Sequence, residues 1–440
     1  MEYPSSTMQS KDFGDWITSK FRIKPKNMKQ LMMPMLISGW AVGRGVIELP
    51  LGKRWPLVSC LYSGLTIFGY FFVAKITMED LHVVVPAASS IGMWIINPMI
   101  CIDICLVICN VIIGWKGIRN VADIINRLEE SGRKVEKIGI LQDYSKVYCG
   151  QLVLLICEVI FAIFIMLFAF VSLPSNERSG WHKMATSICI YYPFIVISIG
   201  DAEFITLVRS ITLRFERLNK VLEDMSTTTD RSPQHKRALD YIKFKERQID
   251  GVHEKCTNDD ERLIRAVAED HLELVRIGGL INATFGTQAL LSMTLSFVCL
   301  LGLLYRASAL VLWSTLTKDS LDKELVVLLG WVFYYIYRII VMTTACMQAV
   351  DECKKTATII CQLHEPSTKK GFRNEISNFL LQMTQNTVEF TACRLFSLDH
   401  SCIQRIIGTI TTYLVILVQI NGDLTSSMPG GSKTKVTKNK

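Results

Sequence analysis

Several ionisable side chains lie inside long apolar stretches of this sequence: Asp103, Glu158, Asp201, Glu203 and Arg338. A charge near the middle of a bilayer costs about 2.5–3.5 kcal/mol, so each of these groups needs a partner or a purpose. Asp103 is the most informative, because it lies roughly 22 Å of helix from the outer end of its stretch. Its carboxylate predicts either an ion pair with Arg338 or an acceptor for the hydroxyl groups of a ligand.

Two prolines, Pro98 and Pro193, occur in the outer halves of apolar stretches. Each removes a backbone donor and leaves the carbonyl four residues earlier unpaired, at Trp94 and Cys189 respectively. We expect helix breaks at both positions, covered by protein or by a watery cavity, because lipid offers these carbonyls no partner.

Aromatic side chains are dense at the same depth, and core packing or an interfacial belt explains any single one of them. Together with a carboxylate and an amide, they meet the needs of a sugar, whose C–H faces lie on rings while its hydroxyl groups contact polar side chains. The predicted ligand-binding residues are Asp103, Trp94, Tyr191, Tyr192, Gln288, Trp331, Tyr334 and Tyr335.

The composition places these residues in a membrane protein. Of 440 residues, 50% are hydrophobic and 20% are charged, with a mean hydropathy of +0.30, whereas soluble chains carry about 25% charge. The sequence excludes a soluble enzyme, a secreted disulfide scaffold and a disordered chain. It predicts an all-α polytopic membrane protein with seven transmembrane helices, at 56–74, 88–113, 149–172, 184–208, 277–302, 325–347 and 403–420.

A further apolar stretch, 31–51, contains Pro34, Arg44 and Glu48. With Pro50 as a second proline, two prolines and two charges are poorly suited to a span, so we predict an interfacial or re-entrant piece within the N-terminal segment 1–55. An extra span would reverse the side on which the chain ends.

Lysine and arginine concentrate in the loops on one side of the predicted spans, namely 1–55, 114–148, 209–276 and 348–402. Basic loops stay in the cytoplasm, so we expect the N-terminus inside, the C-terminus outside and an extracellular tail at 421–440. The formal charge of +8 then faces anionic lipid rather than nucleic acid. Extensions of the fourth and fifth spans carry apolar stripes, which, with segment 348–402, predict a cytoplasmic helical anchor bundle.

Catalytic and metal-binding patterns are missing from the sequence. None of the fourteen cysteines falls in a predicted outer loop, so no disulfide framework is expected. Cys101, Cys105 and Cys109 recur at helical spacing, which is typical of one packed face of a span. Because no metal-binding motif and no nucleophile–base pair occurs, we expect no metal, no cofactor and no enzyme activity.

The last predicted span ends in Gln419, a polar residue among bulky aliphatic side chains. Around a symmetry axis, copies of Gln419 would offer amide dipoles to a hydrated ion, and copies of Leu417 or Ile420 would form a dewetting constriction.

Thr412-Tyr413, five aliphatic residues and Gln419 resemble the T-Y-hhhhh-Q-F signature that closes the last span of insect gustatory receptors. Further stretches resemble the sugar-receptor subgroup that includes the fructose receptors: Asn282 to Gly286, Trp331 to Arg338, Arg214 to Asn219, and Lys354 to Thr356 with Ile360-Cys361. The resemblance implies a homotetrameric, sugar-gated cation channel in the plasma membrane, alone or with other gustatory receptors. It also implies that the last span lines the pore, with Tyr413 and Gln419 as its signature residues, and that each subunit holds its own ligand pocket.

Two positions depart from the family pattern. Ile420 replaces the final Phe of the signature, which changes the shape of the gate, and Ile190 stands where a fructose receptor has Trp. A polyol such as inositol is therefore a second candidate ligand. An odorant receptor, with the same topology but an apolar pocket, is the main alternative. A G-protein-coupled receptor would place the N-terminus outside, and a transporter would show a repeat symmetry that the sequence lacks.

Overall fold

The computed structural model describes residues 25–47, 55–84, 90–137, 144–172, 180–227, 259–313, 318–363 and 370–426. The rest of the predicted N-terminal segment, the end of the predicted tail and residues 228–258 of the inner loop 209–276 lie outside these residues. The helices in the described part are α1 (Met28–Ala41), α2 (Pro56–Val84), α3 (Ser90–Lys137), α4 (Ser145–Ser172), α5 (Gly180–Thr227), α6 (Asp259–Trp313), α7 (Lys318–Gln362), α8 (Lys370–Gln385) and α9 (His400–Ser426).

Seven of the described helices are long and apolar enough to cross a membrane, namely α2 to α7 and α9. This confirms the predicted number of spans. Helix α1 has 14 residues and is therefore about 21 Å long, short of the roughly 30 Å of a hydrocarbon core. The apolar stretch at 31–51 is thus not a span within its described residues, 31–47. Which terminus faces the cytoplasm stays a prediction.

The chain divides into two compact units. The first unit comprises residues 1–290 and 345–397, and the second comprises residues 291–344 and 398–440. Helices α6 and α7 run from one unit into the other, whereas α1 to α5 and α8 belong to the first unit and α9 to the second.

Helix α5 is the central helix of the first unit, since it packs against α1, α2, α3 and α4. Its most apolar stretch is 67% buried, against 22% for α2 and α4. Helix α3, by contrast, has an exposed face, on which Cys101, Cys105 and Cys109 lie. The prediction that these cysteines pack in a core was wrong, because this face is turned outward, where a thiol is as acceptable as any small apolar group.

The ends of α5, α6 and α7 pack with α8 into a helical bundle within the first unit. Its hydrophobic core contains Leu218, Leu222, Leu263, Ile264, Val267, Ile359, Ile360, Phe372, Ile376, Phe379 and Met383. A buried hydrogen bond from the Thr356 hydroxyl to the Asn219 side chain, 2.6 Å long, crosses this bundle. The packing buries the apolar stripes of the helical extensions, which the sequence predicts to form a bundle.

A short antiparallel hairpin follows α8, formed by β1 (Thr391–Ala392) and β2 (Phe396–Ser397). Its turn places Cys393 and Arg394 at φ values of 50° and 62°, in the left-handed region that non-glycine residues seldom adopt. The sequence predicts helical spacing throughout 348–402, so the hairpin departs from that prediction. In the second unit, Asp399 caps α9 by accepting from the Cys402 amide at 2.9 Å, and α9 continues past residue 420 to Ser426.

Candidate functional site

Asp103 lies on α3 in the first unit with only 8% of its surface exposed. It is close enough to Tyr70 and Cys189 to interact with both electrostatically. Among the residues that the structure describes, none donates a hydrogen bond to its carboxylate or forms an ion pair with it. A buried carboxylate with unused acceptor capacity is suited to a ligand that brings its own hydroxyl donors.

The neighbourhood of Asp103 is organised by a proline on α5. Pro193 lacks the amide that would pair with the carbonyl of Cys189. Tyr70 on α2 replaces that amide, since its hydroxyl donates to the Cys189 carbonyl at 3.0 Å. Helix α5 is continuous through Pro193 and α3 through Pro98, so the predicted helix breaks at these two positions were wrong. At Pro193 the reason is the tyrosine hydroxyl, which satisfies the carbonyl without interrupting the helix.

Tyr192 lies against Tyr70, with ring centroids 5.2 Å apart and planes inclined by 35°. Its hydroxyl donates to the carbonyl of Val42 at 3.0 Å, in the turn that follows α1. Tyr191, which precedes Tyr192 on α5, is buried. The structure thus brings Asp103 and Tyr192 together around Tyr70, which the sequence analysis missed, because a tyrosine inside an apolar helix carries no signal of its own.

Gln288 is buried on α6, where its side-chain amide donates to the carbonyl of Ile197 and to Asp201, both at 3.3 Å. Along α5, Asp201 is about 15 Å from Tyr191, given a rise of 1.5 Å per residue. Gln288 therefore makes its hydrogen bonds at a distance from the Asp103 neighbourhood. Its contact with a ligand stays a prediction.

Three of the predicted aromatic residues form a cluster on α7 in the second unit. Trp331 stacks on Tyr335 with ring centroids 6.0 Å apart, and Tyr334 meets both rings edge to face. Tyr335 is fully buried, and Arg338 is buried one turn further along. The spacing of three and four residues puts these rings on one face of the helix. Their contact with a ligand stays a prediction.

The predicted pore residues lie on α9. Tyr413 is 51% exposed, Gln419 is exposed and Leu417 is half-buried. Only 11% of the apolar stretch of α9 is buried, so this helix offers its length to lipid or to other chains. The side chains of Trp94 and Ile420, which belong to the predicted pocket and gate, lie outside what the structure describes.

The hairpin that precedes α9 is fastened to α6 in the first unit. The Asn282 side chain donates to the Thr391 hydroxyl at 3.1 Å and accepts from the Thr391 amide at 2.8 Å. One turn along α6, a Cβ on Gly286 would lie 3.3 Å from the backbone nitrogen of Cys393. The stretch from Asn282 to Gly286, which in the sequence is only a family resemblance, is therefore the part of α6 that contacts the hairpin.

A sequence profile described as "7tm Chemosensory receptor" matches residues 39–421 of the chain. Among individual proteins, the chain is 23% identical over 305 residues to gustatory receptor 28b of Drosophila melanogaster, a match that covers 66% of this chain and 62% of that protein. It is 27% identical over 157 residues to the gustatory receptor for sugar taste 43a of the same fly, covering 36% of each chain. Each match spans less than two thirds of the relative's length.

The fold is similar to that of the insect olfactory receptor OR5 from Machilis hrabei, solved in complex with eugenol. The TM-score is 0.59 at 14% sequence identity, and the match covers 89% of this chain and 97% of that receptor. At this identity the likeness concerns the fold.

Proposed function

Since the chain belongs to the 7tm chemosensory receptor family, we propose that it is a ligand-gated cation channel that a hydroxylated small molecule opens. Membership of this family and seven apolar helices make it a multi-pass receptor of the plasma membrane rather than an enzyme. The ligand we propose is a sugar or polyol, with fructose as the first candidate and an inositol as the second. The assembly we propose is a homotetramer.

The buried carboxylate of Asp103 is the observation that carries this proposal. Burial without a hydrogen-bond donor is costly for a carboxylate, and no described residue supplies that donor. Vicinal hydroxyl groups would supply it, because one carboxylate accepts from several donors at once. The cost of burying Asp103 in the free receptor is then recovered when a polyol binds.

The tyrosines around Asp103 support the same ligand class. Tyr70 and Tyr192 are held in place by their own hydroxyl hydrogen bonds, so their rings are rigid apolar surfaces. Rigid rings beside a carboxylate are the combination that a sugar ring requires, with an apolar face and a polar edge. The name of the relative that senses sugar taste agrees with this chemistry.

The uncovered face of α9 supports the proposed channel. A helix that buries only 11% of its apolar stretch and carries Tyr413 and Gln419 outward can meet copies of itself around an axis. Gln419 amides would then face permeating cations, and Leu417 and Ile420 would close the path by dewetting.

An apolar ligand, as in an odorant receptor, is the second candidate. Cys189 also belongs to a small hydrophobic cluster with Ala74 and Ile100, bordered by Val73, Met78 and Ile104. This cluster would favour a volatile molecule with one polar group, and the structural relative was solved with eugenol.

Current from excised outside-out patches of cells that express only this chain tests the proposal. Fructose, glucose, sucrose, inositols and eugenol are applied in turn, with no guanine nucleotide present. We expect a cation current with fructose or an inositol. A current with eugenol alone would replace the sugar by an odorant, and silence from protein confirmed at the cell surface would contradict a self-sufficient channel.

A further inference from the structure

The first unit contains a cavity of about 320 Å³ that includes none of the predicted ligand residues. Its wall is mostly apolar, with the polar exceptions Lys29, Arg44, Asn126, Glu203 and Thr284. The apolar part of the wall includes Ile113, Gly114, Gly117, Ile118, Val121 and Ala122 of α3. A few convergent polar groups in an apolar wall are typical of a binding site for a small molecule.

Arg44 is the buried polar group of this cavity, with 3% of its side chain exposed. It lies in a slot that two glycines on neighbouring helices leave open. A Cβ on Gly200 of α5 would lie 1.6 Å from an Arg44 guanidinium nitrogen, and one on Gly114 of α3 would lie 2.4 Å from its Cγ. Any larger residue at either position would expel the arginine, so the fold is built to hold a cation at this depth.

The guanidinium of Arg44 has donors that are not hydrogen-bonded. Its Nη2 approaches Glu203 at 3.7 Å, which is an ionic contact longer than a hydrogen bond. Among the residues that the structure describes, Nε and Nη1 have no hydrogen-bond partner. Buried charged donors without acceptors are expensive, and Arg44 also lines the cavity, so its guanidinium is the cationic group that an acceptor on a ligand would approach there.

The cavity is also long. Its residues on α3 recur on one face from Ile113 to Asn126, which is about 20 Å of helix. Every turn of that face is apolar or glycine until Asn126. At the cavity wall Lys29 and Asn126 are exposed, whereas Arg44 is buried, so the polar groups mark both a rim and a deep end. An apolar wall of this length is suited to an extended hydrocarbon chain.

The charges of the lining point to the sign of the ligand. Lys29 and Arg44 are cationic and Glu203 is anionic, which leaves the wall with one formal positive charge. Asp201 is not part of the wall, and its carboxylate accepts from Gln288 instead. A single negative charge on the ligand would therefore balance the cavity.

We propose that this cavity binds an amphiphile with an oxyanion head and an extended apolar chain, the head on the guanidinium of Arg44. A free fatty acid carries such a head as a carboxylate, and an acidic phospholipid carries it as a phosphate. The site is separate from the Asp103 neighbourhood and adds a second, lipid-derived ligand to the receptor.

Retention of labelled amphiphile by the purified full-length chain tests this site. The protein is incubated in detergent with deuterated oleate or deuterated phosphatidylserine, passed through size exclusion, and analysed by mass spectrometry. We expect about one retained molecule per chain, with Arg44→Gln weakening retention about tenfold, since a hydrogen bond to a charged group is lost. Arg119→Gln, at an exposed arginine of α3 outside the lining, is the matched control and is expected to retain it.

A second variant keeps the test decisive if Arg44→Gln fails to fold. Ala122→Phe fills the middle of the cavity and is expected to abolish retention, whereas Ala122→Ser is expected to preserve it. A diazirine-labelled fatty acid should cross-link to residues 113–126. Retention of oleate alone or of phosphatidylserine alone identifies the head group, and retention of both supports the shared oxyanion. Equal retention by Arg44→Gln and Ala122→Phe, cross-links elsewhere, or no retention by the folded protein would overturn the proposal.

Discussion

The hydroxyl of Tyr70 donates to the carbonyl of Cys189 at 3.0 Å, the group that Pro193 leaves without its helical partner. This bond allows α5 to continue through a proline inside an apolar layer, where every backbone group needs a partner within the protein. The same bond holds the Tyr70 ring against Tyr192 and within electrostatic reach of Asp103. The proline therefore shapes the proposed ligand site, because it creates the acceptor that orients the tyrosine.

Removal of the Tyr70 hydroxyl should be coupled to the proline. Tyr70→Phe is expected to destabilise the folded receptor by about 1–3 kcal/mol, because the Cys189 carbonyl loses its donor. Pro193→Ala restores a backbone amide to that carbonyl, so the double variant should lose less than the sum of the two single variants. Thermal denaturation of the purified receptor, followed by size exclusion, measures all three.

Tyr62→Phe is the matched control for this cycle. The Tyr62 hydroxyl donates to the Ala41 carbonyl at 2.8 Å from an exposed position, and that carbonyl does not depend on Pro193. The loss of stability in Tyr62→Phe should therefore simply add to the loss in Pro193→Ala. Strictly additive losses for Tyr70→Phe and Pro193→Ala would show that the tyrosine does not substitute for the missing amide.

The unpaired carbonyl of Cys189 could be predicted from the sequence, since it follows from the covalent structure of proline alone. Its partner could not, because Tyr70 is 119 residues away and nothing local distinguishes it from other tyrosines in apolar helices. The number of spans was predictable for the opposite reason. Each span is a local property of composition and length, which tertiary contacts do not change.

Arg44 and the hairpin show two further limits of the sequence. Arg44 counted against a span at 31–51, yet it is buried because Gly114 and Gly200 open a slot for it, and neither glycine signals this locally. The hairpin turn places Cys393 and Arg394 at positive φ, where glycine or asparagine would have marked a turn. The contacts with α6 impose this conformation, so the turn was missed.

Asp103→Ala should abolish the response to sugar while leaving the receptor at the cell surface. Asp103→Asn keeps the shape but loses the charge that strengthens each hydrogen bond, and should raise the half-maximal ligand concentration at least about tenfold. Dose–response currents measure both effects. Asp123→Asn is the control, because Asp123 is an exposed residue paired with Arg127 on the same helix and should leave the response unchanged. An unchanged response in Asp103→Ala would remove Asp103 from the ligand site.

Gln419→Ala should alter conduction without altering ligand affinity. Loss of the amide removes dipoles that face the hydrated ion, so single-channel conductance or cation selectivity should change. Single-channel recording at saturating ligand, with reversal potentials in mixed cation solutions, measures this. The half-maximal ligand concentration in the same patches is the internal control. A shift in that concentration with unchanged conductance would place Gln419 outside the pore.

The hairpin follows one face of α6 over two turns. A Cβ on Gly278 would lie 3.3 Å from the Val388 side chain, and one on Gly286 would lie equally close to the Cys393 nitrogen. Asn282, between them, makes both hydrogen bonds to Thr391. Because the chain enters α9 directly after the hairpin, we expect a shift of the hairpin on α6 to be passed along the chain to the proposed pore helix.

Crowding of the contact between α6 and the hairpin should weaken channel opening without weakening ligand binding. Gly286→Ala and Gly279→Ala should each gain about 1 kcal/mol of helix propensity, but only the former meets the backbone of Cys393, since nothing lies within 4 Å of a Cβ on Gly279. The maximal current should fall in Gly286→Ala and in Asn282→Ala, and should stay unchanged in Gly279→Ala. Patch currents normalised to surface protein measure this difference. Equal currents in all three variants would separate the hairpin from gating.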